Sequence, residues 1–142
     1  MQRRQRTEIL INGSREIPAR LAQQIIDRYE VNTLEQPNNG LVMMKVRETS
    51  QKSLFYLGEV FVTESKVQIG QAMGLGLVKG HESELAYQLA VIDAAYQAGI
   101  EETKHWTEVL LAEEEVINHK KKAFQHKVLQ TKVNFETMDD GN

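Results

Sequence analysis

The sequence predicts an α+β domain: N-terminal helices, a central antiparallel sheet of about four to five strands, and C-terminal helices that include one long helix. Three observations predict it. Apolar residues recur at helical spacing over the first 30 residues and again after Ser83. Between them, from about Val31 to Val78, lie β-rich runs separated by turn residues. The order of helices, then strands, then helices keeps the strands consecutive, which favours antiparallel pairing. At 142 residues the chain has room for one such domain, spanning 1–142.

The N-terminal helices come first. Thr7 to Asn12 forms a short amphipathic piece that Gly13 ends. Ser14 offers an N-cap, and Ile17, Leu21, Ile25 and Ile26 follow at helical spacing. The capping box is incomplete, because Ile17 stands where a Glu would complete it. Pro18 falls in the first turn, where its missing N–H costs little.

The middle changes period. Val31 to Glu35 reads as a strand closed by Gln36-Pro37-Asn38-Asn39-Gly40, a string of strong turn formers. Leu41 to Arg47 carries apolar residues on both faces, as an interior or sandwiched strand does. Glu48 to Lys52 is a polar turn. Ser53 to Thr63 and Lys66 to Gly70 follow, with a hairpin or kink expected at Glu64-Ser65. Gly58 inside a strand pattern suggests a bulge or a close backbone approach. Met73 to Val78 is a further strand, holding Gly74 and Gly76.

Ser83 can cap the next helix. Leu85, Leu89, Ile92 and Tyr96 line one side, and Ala86, Ala90 and Ala94 form a narrow flank that suits close packing. Gly99 is a natural residue to end it. From Glu101 to about Gln130 a long helix carries an apolar stripe through Trp106, Val109, Leu110, Val116, Ile117, Phe124 and Val128, interrupted at Glu113 and Lys120. Its pattern leaves open whether it breaks near Ala112 to Glu115. Val133 and Phe135 then read as a short extended tail.

Composition excludes several classes. Cysteine is absent, which removes disulfides, thiol nucleophiles and iron–sulfur ligation by this chain. The net charge of −3 gives no general attraction to nucleic acid or anionic lipid. No apolar run approaches the roughly 18 residues that cross a bilayer, and no secretory signal is expected, so the expected location is the cytoplasm.

Candidate chemistry is sparse. His119 and His126 share a helix face but lie about 10 Å apart along the axis, too far for one metal. His81-Glu82-Ser83-Glu84 lacks the second His of a zincin motif. Gly74-Leu75-Gly76-Leu77-Val78-Lys79-Gly80 approaches a phosphate loop, yet Lys79 stands where the dinucleotide pattern needs Gly, and no Ser or Thr follows a Gly-Lys pair. The plainer reading is a strand whose glycines admit a bulge or a close-packed neighbour. Asp93 sits in an apolar helix face, as a functional acid, an ion-pair partner across a subunit boundary, or a rim residue. Arg3, Arg4, Arg6 and Lys120-Lys121-Lys122 lack interleaved aromatics and read as solvated faces.

Several segments together resemble one family. They are Gly40-Leu41-Val42; Gly58-Glu59-Val60-Phe61-Val62-Thr63 with Val67; Gly74-Leu75-Gly76 and Val78-Lys79-Gly80; the helix Ala86 to Ala94; and the tail Thr131 to Met138 with Gly141. In this order and spacing, from about Leu21 onward, they are similar to PhnG, the small subunit of the bacterial carbon–phosphorus lyase core complex. The chain departs from the family at Glu136, where an aromatic is usual, and at Asp140, where an Arg is usual. It also has Ala112-Glu113-Glu114-Glu115 where a Pro is common.

The resemblance implies a role in using alkylphosphonates as a phosphorus source. A nucleosidase subunit with its companions displaces adenine from ATP by the phosphonate, giving a ribose 1-alkylphosphonate 5-triphosphate. A radical iron–sulfur subunit later cleaves the C–P bond. The implied role is thus an accessory subunit of a transferase complex of the α-D-ribose 1-methylphosphonate 5-triphosphate synthase type. The resemblance implies no cofactor on this chain, ATP as a substrate of the complex, and the nucleosidase and other core subunits as partners. Catalytic residues are not expected here. The residues expected at partner interfaces are Gly74, Gly76, Gly80, Asp93, Thr131, Val133 and Phe135. The alternatives are a stand-alone nucleotide binder using Gly74 to Gly80, and a structural homodimer paired through the long helix.

Overall fold

The computed structural model describes residues 1–47 and 54–140. Two helices, α1 (Arg3–Asn12) and α2 (Glu16–Arg28), precede three strands, β1 (Asn32–Arg47), β2 (Leu54–Ile69) and β3 (Ala72–Lys79). Two further helices follow, α3 (Ser83–Ala98) and α4 (Thr103–Asp140). The strands form one antiparallel sheet in the order β1-β2-β3.

The helix starts follow local chemistry loosely. At α2 the capping position is Arg15 rather than the expected Ser14, though the Ser14 Oγ accepts the Glu16 N–H at 3.3 Å. Pro18 is buried in the first turn. At α3 the helix begins on Ser83 itself and Glu82 is the capping position, so the expected cap at Ser83 moves by one residue. Gly99 ends α3 in the left-handed region (φ 67°), and its N–H bonds the carbonyls of Ala95 and Tyr96.

The sheet has three strands where the pattern suggested four to five. The Gln36 to Gly40 string does not turn. It stays extended within β1, with register shifts between Thr33 and Glu35 and between Glu35 and Asn38. β1 is an edge strand, so Pro37 forfeits no ladder bond on its open side. The Asn38 amide bonds Glu35 Oε1 at 2.6 Å and the Gln36 carbonyl at 3.0 Å, which satisfies the irregular backbone locally. Glu64-Ser65 does not turn either. Ser65 is fully buried and donates to the Glu35 carbonyl at 3.1 Å, which ties β2 to β1 at the point of the expected kink. The tight turn falls at Gly70-Gln71, where Gly70 adopts φ 60°. Near Gly58 the register slips by one residue, between Met44 and Lys45, as a strand glycine suggests. The expected polar turn at Glu48 to Lys52 lies outside the described residues.

One face of the sheet packs on α3, and α1 and α2 pack on that helix in turn. Leu85, Ala86, Leu89, Ala90, Val91, Ile92, Ala94 and Ala95 are all buried, so α3 is covered on nearly every side. That explains its almost wholly apolar composition: a helix between two layers has no solvent stripe. The core continues through Ile9, Leu10, Leu21, Ile25, Val67, Trp106 and Leu110.

α4 is unbroken through Ala112 to Glu115. Two acids in this stretch contact the N-terminal segment. Gln5 donates to Glu114 at 3.1 Å, and the Ser14 N–H lies 3.4 Å from Glu113 Oε1. The tail expected to be extended at Val133 and Phe135 has a helical backbone instead, because α4 runs on to Asp140.

Candidate functional site

β3 decides the fate of the glycine run. Gly74, Gly76 and Val78 face α3, while Met73, Leu75 and Leu77 face outward. A Cβ on Gly74 would overlap the Ala90 carbonyl oxygen and the Ala94 nitrogen, and one on Gly76 would overlap the Ala86 carbonyl. Two glycines on the strand and three alanines on the helix thus let backbone approach backbone. Gly74 and Gly76 lie under α3, so they form no open phosphate loop, and the nucleotide-binding alternative loses its motif. Gly80 ends the strand at φ 88°. Its N–H bonds the Phe61 carbonyl at 2.7 Å, and its own carbonyl accepts from Thr63 Oγ1 at 2.5 Å.

Asp93 is the chemical centre of the fold. It is 3% exposed, on the side of α3 that leans over the free edge of β3. Oδ1 accepts from Arg6 Nη1 at 3.1 Å, and Oδ2 accepts from Arg3 Nη2 at 2.5 Å and from the Leu75 N–H at 2.9 Å. Arg6 is itself 5% exposed, and its guanidinium lies 4.2 Å over the Tyr96 ring. Burial raises the Tyr96 phenol pKa, so it stays neutral beneath that charge. Trp106 meets Tyr96 edge-on at 5.8 Å and donates from Nε1 to Gln24 at 3.0 Å. One carboxylate therefore joins α1, α3 and the edge of β3, within a buried charge cluster that its arginines compensate. Asp93 is no rim residue, and the arginines that pair with it come from its own chain. Sequence reasoning missed this role for Arg3 and Arg6. The signal was present: two arginines three apart on one short helix, and one carboxylate inside an apolar helix that had to find a partner.

A second feature lies at the start of α3. An open cleft of roughly 600 Å³ is lined by Arg15, His81, Glu82, Ser83, Glu84 and Gln88, among others. An Arg15–Glu82 ion pair joins α2 to the loop before α3. The Glu82 N–H donates to Thr63 Oγ1 at 3.0 Å, and His81 stacks on Phe61 with ring centres 4.1 Å apart. Among the described residues, no group of three or more His, Asp or Glu side chains could hold a metal ion.

Among the described residues, three surfaces are prominent for exposed apolar side chains. The outer sheet face presents Met73, Leu75 and Leu77. Past the Val62–Lys79 pair, β3 stops and β1 and β2 continue as a two-stranded ribbon from Leu41–Phe61 to Arg47–Leu54. Leu41 and Phe61 are exposed on one face of it and Val42 on the other. α4 is the third surface: every described residue from Asn118 to Gln130 is exposed. Thr131, Val133 and Phe135 lie on its last turns, and their side chains lie outside the described residues. Both sheet edges are blunted: β3 by Asp93 on the Leu75 N–H, β1 by Pro37 and its register shifts.

The model of one family, described as phosphonate metabolism protein PhnG, matches residues 1–141. The chain belongs to the PhnG family. Its role therefore lies in phosphonate metabolism. The match extends through α1, beyond the segments whose resemblance begins near Leu21, and so includes Arg3 and Arg6. No curated protein matches the chain significantly. Among the described residues, no helix is long and apolar enough to cross a membrane.

Proposed function

We propose that this PhnG-family chain is an accessory subunit of the complex that displaces adenine from ATP with an alkylphosphonate. The phosphonate oxygen bonds to C1′ of the ribose as the C1′–N9 bond breaks, and adenine leaves. The product is a ribose 1-alkylphosphonate 5-triphosphate. Catalysis resides on the nucleosidase partner, and ATP is a substrate of the assembly rather than a ligand of this chain alone. The observation that supports this reading best is the two-stranded ribbon beyond β3. An isolated two-stranded hairpin is marginal in water, and this one exposes Leu41, Val42 and Phe61 on both of its faces. Such an element suits a chain that is completed by a partner.

The test is reconstitution. The nucleosidase and companion subunits are mixed with ATP and methylphosphonate, with and without this chain, and adenine release is followed by chromatography. The expected result is a co-eluting complex and at least a tenfold loss of adenine release when the chain is omitted. Full-rate release without the chain, or no complex with it, refutes the reading.

A further inference from the structure

The buried face of α4 does not end where the body ends. At 100° per residue, Trp106, Leu110, Ile117, Phe124 and Val128 all fall within about 20° of one line along the helix. The first two are buried in the core, Ile117 is half-buried, and Phe124 is 68% exposed. Residues 118–140 extend the helix by about 35 Å. Most of a helix's stability in a protein comes from packing an apolar face rather than from its own backbone propensity. The exposed continuation of a core-facing stripe is therefore a surface built to be covered.

Charge indicates what covers it. Between Val116 and Phe135 the chain has five lysines and no Asp or Glu. Lys120 and Lys127 fall on one flank of the line and Lys121 on the other, by the same helical geometry. Antiparallel pairing with a second copy would set two such lysine-rich arms against each other. Anionic lipid and nucleic acid fit poorly for another reason: Glu113-Glu114-Glu115 precedes the arm, Asp139-Asp140 closes it, and the net charge of the chain is −3.

We infer that the α4 arm docks in an apolar groove of a partner protein whose rim carries carboxylates, with Phe124 and Val128 as anchors and the flanking lysines as its charged border. This rests on the accessory-subunit reading, and it assigns the groove to the nucleosidase-bearing partner. Helix-in-groove recognition uses anchors at this i, i+4 and i, i+7 spacing. A large buried aromatic anchor carries a major share of the affinity in such an interface.

The experiment measures affinity of the full chain for the purified nucleosidase subunit by calorimetry, at two salt concentrations. Three variants are compared: Phe124→Asp with Val128→Asp, Lys120→Glu with Lys121→Glu, and Leu129→Asp. Leu129 is equally exposed, at 60%, but lies about 100° around the helix from Val128. All these side chains lie outside the core, and circular dichroism confirms that each variant is folded. The expected result is at least a tenfold loss of affinity for each double variant, less than a twofold change for Leu129→Asp, and weaker wild-type binding at higher salt. Wild-type binding that survives Phe124→Asp with Val128→Asp overturns the inference and leaves the accessory-subunit reading standing. No wild-type binding overturns both. Self-association in light scattering that the Phe124 variant abolishes overturns the inference, as does binding to anionic vesicles or duplex DNA that the lysine variant abolishes.

Discussion

Asp93→Asn isolates the charge at the centre of the fold. The substitution keeps the shape and leaves an oxygen for the Leu75 N–H, but it removes the negative charge that faces Arg6. Arg6 is 5% exposed and Asp93 3%, so neither solvent nor salt replaces the lost partner. Breaking a buried ion pair from one side costs about 3–5 kcal/mol. The cation–π contact with Tyr96 is present in both proteins and so does not replace the lost carboxylate. At about 3–4 °C per kcal/mol for a chain of this size, the midpoint of thermal unfolding should fall by roughly 10–20 °C. Arg3→Ala should cost no more than about 1 kcal/mol, because its side chain is 53% exposed. Arg6→Met with Asp93→Leu should recover most of the loss, since apolar replacement of a buried pair is often neutral. Urea unfolding measures the three values. Hydrogen exchange adds a local readout, with the Leu75 amide and the α1 amides exchanging faster in Asp93→Asn. A cost below about 1 kcal/mol for Asp93→Asn, with Leu75 still protected, would refute the account of the cluster.

Other perturbations test separate parts of the fold. Gly76→Ala drives a methyl into the Ala86 carbonyl and should cost about 3 kcal/mol or more in urea unfolding, at the upper end for overpacking. Gly99→Ala meets no neighbour but holds φ 67°, so it should cost only about 1 kcal/mol; an unchanged midpoint would argue against the left-handed cap. The Glu102 carboxylate has a pKa lowered below 4.5, first by its backbone hydrogen bond and then by the Tyr29 hydroxyl at 2.8 Å. Its stabilising contribution is therefore present above pH 4.5 and lost as pH falls through the lower folded value. The difference in melting temperature between wild type and Glu102→Gln should shrink from pH 6 to pH 3, and a constant difference contradicts the assignment.

Much of the fold is legible in local pattern. The apolar run of α3 and the alanines at 86, 90 and 94 implied a helix packed close on a sheet or another helix, and the glycines at 74 and 76 admitted a close-packed neighbour or a bulge. Gly99 as the end of α3 needed no tertiary information, because only its freedom at positive φ was in question. The candidate site was less legible. Asp93 was conspicuous as a carboxylate in an apolar helix, but its partners lie 87 and 90 residues away in sequence. Spacing along the chain cannot reveal a contact of that range.

The sequence by itself determined most of the element types, the α+β class and the family. Those properties follow from side-chain size, backbone freedom and periodicity, which act over a few residues. Only the tertiary structure decided that Gln36 to Gly40 and Glu64-Ser65 stay extended, because bonds between β1 and β2 outweigh local turn preference there. It also decided that α4 runs unbroken past Glu113 to Glu115, where Gln5 and Ser14 of the N-terminal segment meet those acids. The same layering buries α3 between sheet and helices, and so turns Asp93 from an isolated acid into the link between α1 and the edge of β3.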